Sequence, residues 1–420
     1  MTSKKILMVA GEASGDLHGA HLMEAIHCIN PEIQFFGIGG EHLERTGMKL
    51  LYHAHSLSVV GLTEALFKLR TILKAMKGLK ESLDRERPNL IILIDFPDFN
   101  LRLAKFAHRR GIPVLYYISP QVWAWRRGRV KLIAQRVKKM IVLFPFEVPI
   151  YKAAGVDVEW VGHPLLDIAK PSLTKEMAFQ RFGLDPLRRT IGLLPGSRIH
   201  EVERLLPPLL ASAHLLQKEV SGLQFVIPLA PGFTQETLSP WMRNTPVPVK
   251  LIEGWTYDVM NISELLIMAS GTATLEGAIL GKPMVIIYKV SLLSSWVGRA
   301  MIRVNHIGLV NLVAGKEIVP ELIQKDANPK RIAEEALRIL RDRDLRQRMI
   351  ESMAGVRQSL GEPGAAQRVA RIVTSMINEG NRKIPIANRK MQIVKCKKRI
   401  QRVSFSGIIF NFHFTLWNMY

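Results

Sequence analysis

The most constraining feature of the sequence is a repeated change between short apolar runs and longer segments with helical periodicity. The apolar runs cover residues 6–10, 90–95, 114–119, 140–144, 190–195, 223–230, 249–253, 265–270 and 284–288. Runs that are apolar throughout, without alternating polar residues, are typical of parallel strands covered by helices on both faces. The pattern predicts an α/β fold with two doubly wound, Rossmann-like domains.

The length and the proline pattern predict where those domains divide. A chain of 420 residues exceeds what one hydrophobic core usually fills. Prolines interrupt both periodicities at 160–176, so we place an N-terminal domain at 1–164 and a C-terminal domain, with closing C-terminal helices, at 165–380. Residues 381–420 are first basic and then aromatic, and we expect a poorly ordered tail or, alternatively, a segment on a membrane surface.

The charge of the chain predicts an anionic partner. The formal net charge is +22, and residues 381–420 hold only nine of the 58 lysines and arginines, so the rest of the chain is basic too. A diphosphate substrate, an acidic membrane surface and a nucleic acid all suit such a surplus, and charge alone does not choose among them. No apolar run reaches the roughly 18 to 20 residues of a membrane-spanning helix, and the first residues contain no recognisable secretory signal.

The turn GEASGD, residues 11–16, follows the first predicted strand. Ligands of open α/β sheets bind beside the carboxyl ends of the strands, which is where this turn is placed. Gly11 permits a tight turn, Glu12 is a candidate catalytic group, and Ser14 is either a substrate contact or the N-cap of the next helix. The spacing is not the GxGxxG fingerprint, which disfavours a nicotinamide-dependent dehydrogenase.

A second acidic turn, LIDFPDFN, ends the strand at 90–95. Asp95 lies at the carboxyl end of that strand, where a carboxylate can take a proton from a sugar hydroxyl. The alternative is a buried aspartate that only holds neighbouring loops. Asp98 is either a substrate contact or the N-cap of the following helix.

The second half repeats the design of strand, small-residue turn and helix. In LLPGSR the Arg198 guanidinium suits a diphosphate, although a surface ion pair with Glu201 is the alternative. In MASGTATLEGA the turn Ser270, Gly271 and Thr272 opens a helix whose free N–H groups suit phosphate. Glu276, one turn further on, is placed to reach a ribose, unless the segment is merely a capped helix.

One helical segment carries an apolar stripe with cations beside it. The stripe consists of Leu62, Leu66, Leu69, Leu73 and Met76. Such a stripe either faces the core or lies in a membrane interface and contacts acyl chains.

Six motifs in this order resemble the lipid-A-disaccharide synthase family. They are GEASGD, IDFPDFNL, YYISPQVWAWRRGRVK, LPGSR, SGTATLEGA and NLVAGKEIVPELIQ, and the resemblance runs from about residue 4 to about residue 378. The resemblance implies a GT-B fold with an interdomain cleft. It also implies an inverting transfer from UDP-2,3-diacylglucosamine to 2,3-diacylglucosamine 1-phosphate (lipid X), which yields a β-1,6-linked disaccharide 1-phosphate and UDP.

The resemblance also assigns roles to residues. Asp95 corresponds to the family's essential aspartate, with Glu12 as the alternative base, and Ser14 lines the same cleft. The residues expected around UDP are Arg198, Ser270, Gly271, Thr272, Glu276, Asn311 and Gln324. Neither a metal nor a cofactor is expected, and the resemblance places the chain on the cytoplasmic face of the inner membrane, with a homodimer left open.

Two other functions compete with this one. A UDP-N-acetylglucosamine 2-epimerase-like isomerase shares a two-domain cleft and needs no lipid acceptor. A polyanion or nucleic-acid binder rests on charge alone, and because no nucleic-acid-binding motif accompanies the charge, we expect no nucleic-acid partner.

Overall fold

The computed structural model divides into two compact units. It describes residues 4–57, 62–123, 128–230, 232–243, 245, 247–290 and 306–379, with the backbone alone at residues 13, 62–69 and 379. The first unit comprises residues 4–164 and 360–379 of the described chain, and the second lies within 165–359. The tail predicted at 381–420 lies outside the described residues.

The first unit contains a parallel sheet of seven strands in the order β3-β2-β1-β4-β5-β6-β7. Its strands are β1 (Lys5–Ala10), β2 (Gln34–Gly39), β3 (Lys49–His53), β4 (Leu90–Ile94), β5 (Val114–Tyr117), β6 (Lys139–Val142) and β7 (Val158–Trp160). Strand order reverses between β1 and β4, which are paired so that Ala10 lies opposite Ile94. The residues that follow these two strands therefore start at the same height at the switch point, where ligands of such sheets bind.

The second unit repeats this topology with six parallel strands in the order β10-β9-β8-β11-β12-β13. Its strands are β8 (Arg189–Leu194), β9 (Leu223–Leu229), β10 (Val249–Glu253), β11 (Leu265–Ala269), β12 (Met284–Tyr288) and β13 (Glu321–Ile323). Here the order reverses between β8 and β11, whose register pairs Leu194 with Met268. Two doubly wound sheets, as the apolar runs predict, are thus present.

Helices connect the strands. In the first unit they are α1 (Ala13–Ile29), α2 (Glu41–Arg45), α3 (Leu62–Glu86), α4 (Pro97–Arg109), α5 (Arg129–Arg136) and α6 (Glu147–Lys152). In the second they are α7 (Leu165–Ile168), α8 (Lys175–Phe182), α9 (Ile199–Glu219), α10 (Gln235–Met242), α11 (Thr256–Ile262), α12 (Ala273–Ile279), α13 (Leu309–Ala314), α14 (Pro329–Arg341) and α15 (Arg343–Ser359). Local chemistry sets several ends: the Thr174 hydroxyl caps α8 and the Asn328 amide caps α14.

The last described helix, α16 (Ala365–Glu379), differs from the predicted domain plan because it belongs to the first unit and not to the second. It packs on α1 and buries Val369, Val373 and Ile377, a stripe at helical spacing. The Arg368 side chain reinforces the attachment, since its Nε donates to the Val161 carbonyl at 2.7 Å. Local periodicity does not predict these contacts, because they join residues more than 200 positions apart.

No helix within the described part of the chain combines the length and the hydropathy that crossing a bilayer requires.

Candidate active site

The two acidic turns predicted from the sequence come together at the switch point of the first sheet. Glu12 follows β1 and occupies the N-cap position of α1, and Asp95 follows β4. Burial, and then the neighbouring Glu12 carboxylate, raise the pKa of Asp95 well above its usual range. This edge therefore presents a pair of interacting carboxyl groups, one of which binds its proton more tightly than an exposed aspartate does.

The turn that carries Asp95 has an unusual backbone. Asp95 and Phe96 have φ angles of 49° and 45°, the left-handed region that residues other than glycine seldom adopt. The Asp95 carbonyl accepts hydrogen bonds from the Tyr116 hydroxyl and from Asn100 Nδ2, each at 2.6 Å. Neither Tyr116 nor Asn100 was identified from the sequence, because one resembles an ordinary strand residue and the other an ordinary helix residue.

Gly11 is required by the same turn. A Cβ built on Gly11 would come within 2.8 Å of Phe96 Cβ and closer still to the Phe96 ring, so any larger residue would displace that ring. Phe96 in turn stacks on Phe99, with ring centroids 5.1 Å apart. The turns after β1 and β4 are therefore fitted to each other.

Ser14 and Asp98 lie near this edge in roles that differ from the predicted caps. Glu12, and not Ser14, occupies the N-cap of α1, and Ser14 is buried in the first turn of that helix. Helix α4 starts at Pro97, with Phe96 at its N-cap, and the Asp98 carboxylate is ion-paired with the buried Arg129. The pairing joins the start of α4 to the start of α5.

Two further acids hold the loops around this edge. The Asp16 carboxylate accepts the backbone N–H groups of Gly40 at 2.6 Å and His42 at 2.9 Å, which caps the start of α2. Glu147 joins the segments after β5 and β6, because its carboxylate accepts the Ser119 hydroxyl and, at 3.0 Å, the Phe144 N–H. Burial raises the pKa of Glu147 to about 7.

Arg198 lies at the switch point of the second sheet. It occupies the N-cap position of α9, directly after the turn at the end of β8, with its side chain one-third exposed. The nearest Glu201 oxygen is 3.9 Å from Arg198 Nη1, so the alternative ion pair is present at the limit of contact. Glu201 also accepts the Ser197 N–H at 3.1 Å and thereby holds the turn.

The Ser270 to Thr272 turn ends the neighbouring strand β11. The Ser270 hydroxyl donates to the Ile307 carbonyl at 2.9 Å, and Gly271 has a φ of 155°. Thr272 is the buried N-cap residue of α12. The second unit thus brings the predicted residues after β8 and β11 to one edge of its sheet.

Three other predicted UDP contacts, Glu276, Asn311 and Gln324, form hydrogen bonds within the second unit. Glu276 is fully buried, and its Oε1 accepts the Tyr257 hydroxyl at 3.1 Å. Asn311 is also fully buried. Its Oδ1 accepts the Ile318 N–H, and its Nδ2 donates to the Val319 carbonyl and the Glu321 carboxylate. Gln324 Oε1 accepts the Val290 N–H at 3.1 Å. The Glu276 bond joins α12 to α11, the Asn311 bonds lie within the connection from β12 to β13, and the Gln324 bond joins the segments after β12 and β13. The assignment of these three residues to UDP stays a prediction.

The apolar stripe on α3 divides where its side chains are described. Leu73 is 53% exposed, whereas Met76 is buried in the core of the first unit, which corrects the prediction that Met76 contacts acyl chains. The side chains of Leu62, Leu66 and Leu69 lie outside the described residues. Among the described residues, no group of three or more His, Cys, Asp or Glu side chains is arranged to hold a metal ion.

Two doubly wound parallel sheets in one chain, each with polar turns at its switch point, are the architecture of the GT-B fold class. A UDP-GlcNAc 2-epimerase from Neisseria meningitidis, solved bound to UDP-GlcNAc, shares this fold with a TM-score of 0.59 and 15% identity, over 88% of this chain and 100% of that one. At that identity the likeness shows the fold alone.

Sequence relatives define the family. The family model described as lipid-A-disaccharide synthetase matches residues 6–373. The chain is 50% identical to the lipid-A-disaccharide synthase of Syntrophus aciditrophicus over 91% of this chain and all of that protein. It is 48% identical to the synthase of Geobacter metallireducens over 90% of this chain and 98% of that protein. The chain belongs to the lipid-A-disaccharide synthase family.

Proposed function

We propose that this protein condenses UDP-2,3-diacylglucosamine with 2,3-diacylglucosamine 1-phosphate to give the β-1,6-linked lipid A disaccharide 1-phosphate and UDP. Family membership over residues 6–373 supports the reaction. The observation that carries the chemistry is the pair formed by Glu12 and Asp95 at the switch point of the first sheet. A transfer to an alcohol requires a base at such a position.

The proposed reaction is a single displacement at the anomeric carbon. The acceptor 6-hydroxyl oxygen forms the new bond to that carbon while its proton passes to the Asp95 carboxylate. The bond between the carbon and the diphosphate breaks, and its electron pair leaves with UDP. The raised pKa of Asp95 makes its ionised form a stronger base than an exposed aspartate.

The proposed UDP site uses the second sheet. Negative charge grows on the diphosphate as the sugar leaves, and a fixed cation at that place lowers the barrier. Arg198 and the turn from Ser270 to Thr272 follow the two strands that flank this switch point, which supports their assignment to the diphosphate. Glu276, Asn311 and Gln324 are proposed to contact UDP, and their hydrogen bonds hold the segments around that site. The interdomain cleft stays a prediction.

The epimerase alternative is disfavoured by the family match, because the solved epimerase resembles this chain in fold only. Product analysis separates the two reactions. The protein is incubated in detergent micelles with UDP-diacylglucosamine, with and without the acceptor. Disaccharide formed only when both are present supports the transferase, whereas conversion of the UDP-sugar alone contradicts it.

Asp95→Asn tests the base. We expect kcat to fall about 10²- to 10⁴-fold, because an amide cannot accept the proton, while UDP affinity measured by calorimetry stays unchanged. Asp84→Asn is the matched control, since Asp84 is a surface carboxylate of the same unit, paired with Arg110. Wild-type kcat in Asp95→Asn would exclude Asp95, and a larger loss in Glu12→Gln would transfer the role to Glu12.

We also propose that the protein works at the cytoplasmic face of the inner membrane as a peripheral protein. Both proposed substrates are anionic lipids, the chain carries a net charge of +22, and Leu73 is exposed beside the cations of α3. The homodimer stays a prediction.

A further inference from the structure

The backbone is strained in the turns that follow β4 and β5, at and beside the switch point of the first sheet. Asp95 and Phe96 are consecutive non-glycine residues in the left-handed region, and Ile118, directly after β5, has a φ of 69° although it is β-branched. Non-glycine residues in this region are destabilised relative to the common backbone conformations and persist only where the surroundings over-determine them. The strained residues follow two adjacent strands, β4 and β5.

Two buried side chains hold the strained turn by hydrogen bonds to one atom, the Asp95 carbonyl oxygen. The Tyr116 hydroxyl, from β5, and Asn100 Nδ2, from α4, both donate to the Asp95 carbonyl at 2.6 Å. Asn100 Nδ2 also lies 3.2 Å from the Ile94 carbonyl. Burial, and then the Asp95 charge, raise the pKa of Tyr116 well above its usual range, so the phenol keeps the proton that it donates.

The two hydrogen bonds to the Asp95 carbonyl also affect the Asp95 side chain. The Phe96 backbone N–H lowers the pKa of the Asp95 carboxyl group, opposing burial and the Glu12 carboxylate, which both raise it. The Asp95 carbonyl and the Phe96 N–H belong to the same peptide plane. Holding the Asp95 carbonyl therefore also holds the Phe96 N–H and the Asp95 Cα, from which the carboxylate extends.

We infer that Tyr116 and Asn100 are positioning residues for the transfer reaction, which fix the Asp95 peptide and thereby the direction of the Asp95 carboxylate. This inference rests on the proposed function of Asp95. Two titratable groups act on the turn directly: Glu12 from the end of β1 and Tyr116 from β5. Arg129, from α5, lowers the pKa of Tyr116, and Tyr151, from α6, raises it.

Tyr116→Phe tests the inference by removing one hydroxyl. We expect kcat to fall about tenfold, the equivalent of about 1.4 kcal/mol, with the KM of both substrates nearly unchanged. The acid limb of the kcat pH profile should move to higher pH, because a loosened turn withdraws the Phe96 N–H from the carboxylate. Asn100→Leu, of similar volume, should move the profile in the same direction.

Tyr151→Phe is the matched control. It removes another buried phenol of the same unit, whose hydroxyl donates to the Pro120 carbonyl at 3.3 Å. It should lower the free energy of unfolding and leave kcat and the pH profile as in the wild type. Equal effects of Tyr116→Phe and Tyr151→Phe on kcat, or a pH profile unmoved in Tyr116→Phe, would overturn the inference.

A titration of the Asp95 carboxyl group keeps the inference separate from the proposed reaction. The ¹³C NMR signal of Asp95, assigned by its loss in Asp95→Asn, is followed with pH in the wild type and in Tyr116→Phe. We expect a higher Asp95 pKa in Tyr116→Phe, and an identical pKa would contradict the inference. Absence of disaccharide with the wild type would instead contradict the proposed function, and this titration would still decide the role of Tyr116.

Discussion

At the scale of single residues, Gly11 shows how one missing side chain shapes a site. The Phe96 ring occupies the space that a Cβ on Gly11 would need. We expect Gly11→Ala to displace Phe96 and with it the Asp95 carboxylate, lowering kcat at least tenfold and destabilising the fold by about 1–3 kcal/mol. Steady-state kinetics and urea unfolding measure the two effects.

Gly355→Ala is the control for that substitution. Gly355 lies exposed within α15, and a Cβ there meets nothing within 4 Å. Alanine favours a helix by about 1 kcal/mol over glycine, so this variant should be more stable and equally active. Phe96→Leu combined with Gly11→Ala should recover part of the lost activity. A wild-type kcat in Gly11→Ala would contradict the proposed fit between Gly11 and Phe96.

The candidate residues divide according to whether their partners are near or far in sequence. Asp95 was predictable because the strand that ends before it is visible in the sequence. Asp16, Glu276 and Asn311 form hydrogen bonds with residues 7 to 27 positions away, through contacts that only the fold creates. Local spacing therefore predicts where a polar side chain is placed, and not whether its hydrogen-bonding groups are already occupied.

At the scale of elements, the predicted α/β class is confirmed and nine strands match the apolar runs. Strands β3, β7 and β13 were missed because they are sheet edges, where partial exposure admits polar residues. Strand β2 was missed because glycine interrupts its apolar run: Gly37 has a φ of 145°, and a Cβ there would come within 3.0 Å of the Met8 carbonyl carbon.

The exposed part of α3 makes a prediction about membranes. Leu73 is the described member of the stripe that faces outward, so Leu73→Ser should weaken association with vesicles of anionic phospholipid, measured by flotation. The binding should also fall with added salt, because basic residues contribute. Leu187→Ser is the control, since Leu187 is 93% exposed in the second unit and outside the stripe. Equal binding by Leu73→Ser and wild type would assign Leu73 no membrane contact.

At the scale of the whole molecule, stability depends on pH through two buried groups, Glu147 and His163, whose pKa values are shifted in opposite directions. The folded-state pKa of Glu147, about 7, exceeds its ordinary value of 4.5, so between these values the folded chain keeps a proton that the unfolded chain releases. Stability from this group is present below pH 4.5 and is lost as the pH rises to 7. Burial lowers the pKa of His163 from 6.5 to about 3, so its contribution is present above pH 6.5 and is lost on acidification.

Two substitutions separate these contributions. Relative to the wild type, Glu147→Gln should gain stability as the pH rises from 4.5 to 7, by about 1.4 kcal/mol for each unit of the pKa difference. His163→Gln should gain stability relative to the wild type as the pH falls from 6.5 toward 3. Both residues belong to the first unit, so urea unfolding followed by amide exchange in β5 and β6 is the suitable measurement. The stability gained over the wild type grows with rising pH in Glu147→Gln and with falling pH in His163→Gln. A general loss of packing would produce neither dependence. A stability difference that changes with pH in the same direction in both variants would refute the assignment.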